Sequence, residues 1–141
     1  MITIERCCDV SVGHRVYKHE GKCAHLHGHN LRVCFTVAGK MDEVGRVLDF
    51  AVVKQKLCGW VDREYDHKFL IFQDDPLAEK LKAIDPEGVV VVPFNPTIEN
   101  IARHLGETIA PKELEGTECD CVEVRVEETR RNFATWRKTA R

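Results

Sequence analysis

The tightest constraint on this chain is a two-residue alternation that runs on into histidines. Residues 2–12 put Ile2, Ile4, Cys8, Val10 and Val12 on one face and Thr3, Glu5, Asp9 and Ser11 on the other, the pattern of a half-buried strand. Residues 30–39 alternate in the same way, with Leu31, Val33, Phe35 and Val37 opposite Arg32 and Thr36. Side chains at i and i+2 of an extended chain project to one face. His14 therefore continues the parity of Val10 and Val12, and His27 and His29 continue that of Leu31 and Val33. Pairing of the two strands brings three imidazoles together at one end of a sheet.

Three neutral histidines without an obvious fourth ligand match a catalytic zinc site that keeps one position open. Gly28, between two of them, has no side chain to crowd a metal or a substrate. An isolated His-x-His pair reads more readily as surface histidines beside a turn. The third histidine on matched parity, with Cys23 close by, points instead to metal. Cys23 can also be the fourth ligand, which makes the zinc structural, and the spacing leaves both arrangements open.

Two further positions carry chemistry. Asp66-His67 sets a carboxylate beside an imidazole, a pairing that fixes the tautomer and raises basicity for acid–base work. Glu128 holds the inward parity of a strand otherwise lined by Val122, Val124 and Val126, where an unpaired carboxylate is costly. It is expected at the strand's end, facing a ligand or a basic partner. Cys119 and Cys121 are assigned to the outward face of that strand, and a single Cys-x-Cys lacks the second pair that makes a zinc motif.

The remaining pattern is α+β with a largely antiparallel sheet. Asp49 caps a helix from about residue 50 to 62, with Phe50, Val53, Leu57, Trp60 and Val61 as its apolar stripe. Pro76 opens a short helix that runs to about Ile84, and Val89–Val92 form a buried strand. Thr97 caps a helix whose face is Ile98, Ile101, Ala102, Leu105 and Ile109, closed by Pro111. The last strand covers about residues 119–128. No repeat or linker divides the 141 residues, so residues 1–141 are taken as one domain.

Composition narrows the partners. A formal net charge of −2 gives no basis for nucleic-acid binding. No apolar run is long enough to cross a bilayer, and residues 1–5 show no export signal. A cytoplasmic location follows, where disulfides are rare. The seven cysteines are accordingly read as small buried hydrophobes, except Cys23 in its polar loop.

Taken in order, the motifs resemble a known enzyme family. They are Gly13-His14-Arg15, Cys23-Ala24-His25-Leu26-His27-Gly28-His29-Asn30, Val47-Leu48-Asp49-Phe50, Asp66-His67, Pro96-Thr97-Ile98-Glu99-Asn100 and Glu128-Thr129. The chain is similar to the family of 6-pyruvoyltetrahydropterin and 6-carboxytetrahydropterin synthases. The resemblance implies a tunnelling fold, in which an antiparallel four-stranded sheet carries two main helices on one face. It further implies that sheets close into a barrel in a trimer, that two trimers stack into a homohexamer, and that active sites lie between subunits.

Carried over by motif, His14, His27 and His29 are the Zn2+ ligands, Cys23 the proton-abstracting base, Asp66 and His67 a relay, and Glu128 the pterin anchor. The substrate implied is a reduced pterin triphosphate, dihydroneopterin triphosphate. Pyruvoyl synthases eliminate triphosphate from it, while carboxy synthases, on the way to queuosine and other deazapurines, also release acetaldehyde. The three residues between Cys23 and His27 resemble the bacterial carboxy type. Tyr65, Ile71, Trp136 and His25 depart from the family's pattern and are expected to alter pocket shape.

Overall fold

In a computed structural model that describes residues 1–140, strand β1 (Thr3–His14) pairs antiparallel with β2 (His27–Gly39) along its whole length. Thr3 faces Ala38 at one end and His14 faces His27 at the other. Beyond β2 follow β5 (Cys119–Glu127) and β6 (Phe133–Arg137), both antiparallel to their neighbours. On the free side of β1 lie β3 (Lys68–Phe72) and β4 (Val89–Val92), each parallel to the strand before it. The order is β4-β3-β1-β2-β5-β6.

The sheet is thus six-stranded and mixed, not the four-stranded antiparallel sheet expected. A helix carries the chain from β2 to β3 and another from β3 to β4. The crossover from β3 returns the chain to the end where β3 began, so β4 enters parallel to it, whereas β3 runs parallel to β1 and therefore antiparallel to β2. The continuous apolar run Phe69-Leu70-Ile71 suits a strand of that kind, whereas Val89–Val92, expected to be buried, forms an edge strand that leaves Val91 exposed.

Two long helices cover one face. The first spans residues 50–65 and contains a π turn, Lys54–Cys58, between its α-helical ends. Asp49 caps it by accepting a 2.7 Å bond from the Ala51 N–H. The second spans residues 98–113, with Thr97 as cap and a π turn at Leu105–Ile109. It does not stop at Pro111. The wider turn leaves that proline in the first turn of the final segment, where a missing N–H is tolerated. A short helix, Ala78–Ile84, joins β3 to β4.

Between helices and sheet sit Phe35, Leu57, Leu70, Ile101 and Leu105, all fully buried; each such side chain stabilises the fold by about 1.5–3 kcal/mol. Val10, Val12, Leu31, Val33 and Val37 complete the sheet's inner face, as the alternation requires.

Two expectations about cysteine are overturned. Cys121 is buried against the core and Cys119 packs beside it. The β2–β5 register shifts between Thr36 and Val37, and the extra residue, Val122, switches parity for everything before it. Cys7 and Cys34 stand opposite one another on the outer face, 4.0 Å apart at Cα, and form a disulfide. Directly paired residues on neighbouring strands approach closely enough for this bond without backbone movement. Among the described residues no helix is long and apolar enough to cross a membrane.

Candidate metal centre and its surroundings

His14 closes β1, and His27 and His29 open β2, so one end of a hairpin supplies all three imidazoles. Their ring centroids lie 4.6, 5.2 and 4.9 Å apart. His14 Nδ1 donates to the Pro96 carbonyl at 2.7 Å, and His27 Nδ1 donates to the His25 carbonyl at 2.7 Å. Each bond fixes the tautomer that leaves Nε2 as a lone-pair donor, the usual outer support of a metal-binding histidine.

Glu128, just past β5, is held by a 2.9 Å bond from its N–H to the Asn132 carbonyl. Its Oε1 stands 2.9 Å from His29 Nε2 and 3.6 Å from His14 Nε2. Neither buried nitrogen finds hydrogen-bond geometry there. A ring lone pair facing a carboxylate oxygen is repulsive unless a proton or a cation stands between them.

The charges favour a cation. Burial lowers the pKa of His14, with His27 and His29 acting in the same direction against the Pro96 bond and Glu128. Burial also lowers that of His29, while Glu128 opposes it. Neutral imidazoles are what a divalent cation requires. One donor atom from each of His14, His27, His29 and Glu128 lies within 4.8 Å of the others. Three imidazole nitrogens and a carboxylate fit Zn2+.

Cys23 is outside this donor set. It sits in the Lys22–Ala24 turn and lines a cavity of about 500 Å³ together with His14, His19, Thr97, Glu99 and Glu128. The turn is anchored at several points. Arg15 bonds the buried Asp75 at 2.6 Å and the Ala24 carbonyl at 3.3 Å. Tyr17 exchanges two 2.9 Å bonds with the Asn95 side chain.

Asp66 and His67 lie elsewhere. Asp66 accepts from the Ser11 N–H at 2.9 Å, and its other oxygen pairs with His67 Nδ1 at 2.9 Å. The Ser11 bond, then the His67 bond, hold the Asp66 carboxyl below its usual range. His67 takes a left-handed φ of 58° and is exposed. It lines a second cavity of about 480 Å³ with Ser11, Gly28, His29 and Asn30, which Cys23 does not line. Cys23 and the Asp-His pair thus open on different cavities of one chain.

Gly28 belongs to that second cavity too. A Cβ there would lie 3.0 Å from the Val12 carbonyl oxygen, so its bareness serves close strand approach rather than access to the imidazoles. Tyr65 is buried edge-on to Trp60, and Trp136 bonds Glu107 at 3.2 Å. Ile71 is fully buried in a second apolar cluster. These departures sit in packing, and none of them lines the Cys23 cavity. The His25 imidazole is exposed; the residue contributes its carbonyl. Sequence reasoning had missed that carbonyl and that of Pro96, because a backbone oxygen leaves no mark on residue identity.

Residues 3–139 match the family model described as 6-pyruvoyl tetrahydropterin synthase. A 6-carboxy-5,6,7,8-tetrahydropterin synthase of Rickettsia bellii is 37% identical over 131 residues, 92% of this chain and 95% of the relative. A protein of that name from Rickettsia typhi is 37% identical over 79% of this chain and 83% of its own. Among solved structures, an uncharacterised protein of Wolinella succinogenes superposes with a TM-score of 0.86 at 26% identity, covering 98% of both chains. The 6-pyruvoyl tetrahydropterin synthase of Caenorhabditis elegans, at 23% identity over 98% of this chain and 96% of its own, superposes with a TM-score of 0.71 and shares the fold. The chain belongs to the 6-pyruvoyl tetrahydropterin synthase family.

Proposed function

We propose that this protein is a zinc-dependent 6-carboxytetrahydropterin synthase, a lyase that converts dihydroneopterin triphosphate to 6-carboxytetrahydropterin with release of acetaldehyde and triphosphate. The observation that carries the reading is the convergence of three imidazoles, with the orphaned Nε2 atoms of His14 and His29 at the point where a donor atom from each comes together. The names of the Rickettsia relatives favour the carboxy product over the pyruvoyl one, as does the short interval from Cys23 to His27.

His14, His27 and His29 would hold the zinc. Bound there, it supplies Lewis acidity toward the substrate's side-chain oxygens, making the adjacent C–H easier to ionise. Cys23, on the wall of the same cavity, is placed to take that proton as a thiolate. Glu128 orients the pterin by accepting from its 2-amino group and ring N–H. Asp66 leaves His67 with one ring nitrogen free to pass a proton. Because this pair opens on a different cavity from Cys23, it serves the Cys23 of a neighbouring subunit, in keeping with a homohexamer built from trimers.

One observation favours a second reading. The closeness of Glu128 to two ligand nitrogens suits a closed, four-ligand structural site without turnover. Incubating the zinc-loaded protein with dihydroneopterin triphosphate and identifying the products decides. Acetaldehyde with 6-carboxytetrahydropterin supports the proposal; a pyruvoyl product redirects it within the family; no turnover at full zinc occupancy favours the closed site.

A further inference from the structure

Away from the imidazoles, another pair of reactive side chains shares a cavity. Between β1 and the first helix lies a space of about 580 Å³, walled by Cys8 and Asp9 of the strand and by Lys54, Cys58 and Asp62 of the helix. Both cysteines are free thiols. Cys8 is half-buried, its Sγ 3.6 Å from the Val33 carbonyl. Cys58 ends the π turn Lys54–Cys58, a local widening of the kind that often marks functional positions.

The two thiols face one cavity and influence each other's acidity more than any other group does. Cys8 lowers the pKa of Cys58, helped by the positive charges of Arg6 and Lys54 against the cost of burial. Cys58, with burial, raises that of Cys8. The acidities of the two sulfurs are thus driven apart, Cys58 downward and Cys8 upward. Elsewhere burial pushes Cys121 up to about 12 and raises Cys119, which makes both poor nucleophiles.

We propose that Cys8 and Cys58 form a peroxide-reactive dithiol that closes to a disulfide between β1 and the first helix. The Cys58 thiolate attacks one oxygen of hydrogen peroxide; the O–O bond breaks, a sulfenic acid forms, and the departing hydroxide takes a proton to become water. Cys8 sulfur then attacks the sulfenic sulfur, the S–O bond breaks, and the hydroxyl leaves as a second water with the Cys8 proton. Two thiols are oxidised, one peroxide is reduced, and the sequence matches ordinary sulfenic-acid condensation. The cavity admits an oxidant of this size, and the resolving thiol lines the same space.

The test uses the full chain. Wild type and a C7S/C34S variant are treated with equimolar hydrogen peroxide, alkylated, digested with trypsin and mapped by mass spectrometry. Cys7 and Cys8 share the peptide 7–15, while Cys58 lies in 57–63. In the variant, these two peptides should become joined, and dithiothreitol should release them. Should the variant fail to fold, wild type reads the same bond as a triple linkage of 7–15, 33–40 and 57–63. In Cys8→Ser, Cys58 should instead stop at a sulfenic acid that dimedone traps, and should run on to sulfinic acid when a second equivalent of peroxide is added. Full alkylation of Cys58 while Cys23 is oxidised would overturn the proposal, as would sulfinic acid at Cys58 in wild type or a link from Cys58 to any other cysteine.

Discussion

His14 Nδ1 lies 2.7 Å from the carbonyl oxygen of Pro96, so the last side chain of β1 is aimed by the loop that precedes the second long helix. The same loop continues into Thr97 and Glu99, which wall the Cys23 cavity. The orientation of His14 and the wall of the Cys23 cavity are therefore set by one piece of backbone.

Replacing a ligand should unload the metal without unfolding the protein. His27 is only half-buried and makes its one recorded bond to a local carbonyl. His27→Ala is expected to lower zinc affinity by more than about tenfold, since even outer-shell changes cost about 10–100-fold. Elemental analysis after dialysis checks this; full zinc occupancy in the variant rejects the ligand assignment.

Cys23 lies outside the set of converging donors. Cys23→Ala should keep its zinc and lose turnover. Cys23→Ser should also be poor, because a hydroxyl is far harder to ionise than a thiol. A parallel fall in metal content and activity would identify Cys23 as a ligand.

Glu128→Gln keeps the side chain's size but removes its charge and one acceptor. Loss of two charge-assisted bonds to the pterin should weaken binding by about 2–4 kcal/mol. Pterin titration and zinc content are measured together. Unchanged affinity removes the anchor role, and a loss of zinc makes Glu128 the fourth ligand.

Asp66 gives a pH signature. Its carboxyl is held below the usual range by the Ser11 N–H and by His67. A carboxylate depressed in the fold stabilises above its unfolded pKa, near 4, and that contribution fades as pH falls through the folded value. Asp66→Asn should lower stability by about 1 kcal/mol at neutral pH. Its deficit against wild type should shrink below about pH 4. Urea melts across pH check this, and a deficit that is constant with pH contradicts it.

Gly106 tests the contact between the second helix and β6. A Cβ at that position would collide with the indole ring of Trp136. Gly106→Ala should destabilise by about 1–3 kcal/mol, as overpacked sites do, despite alanine's better helix propensity. A raised melting temperature would mean that the ring moves aside freely.

Much of this was legible in the sequence. The alternation through Val12 and Leu31 located β1 and β2 and aimed their histidines at one point, because parity is a local property. Strand β6 went unseen because Phe133–Arg137 is short and mostly exposed. The outward assignment of Cys119 and Cys121 failed at a bulge, which composition does not announce. The Cys7–Cys34 bridge was within reach: the register that sets His14 opposite His27 also sets Cys7 opposite Cys34. The separation of Asp66-His67 from Cys23 was not, since it depends on which cavity each loop lines.

The Pro96 contact also sets an order of events during synthesis. The hairpin bearing all three imidazoles leaves the ribosome early, yet the carbonyl that aims His14 lies 82 residues further along the chain. Until that segment emerges, the nascent histidines can meet a metal ion only as a loosely oriented trio. Docking of the Pro96 segment against the hairpin, rather than emergence of the histidines, then governs when the three imidazoles reach their final orientation.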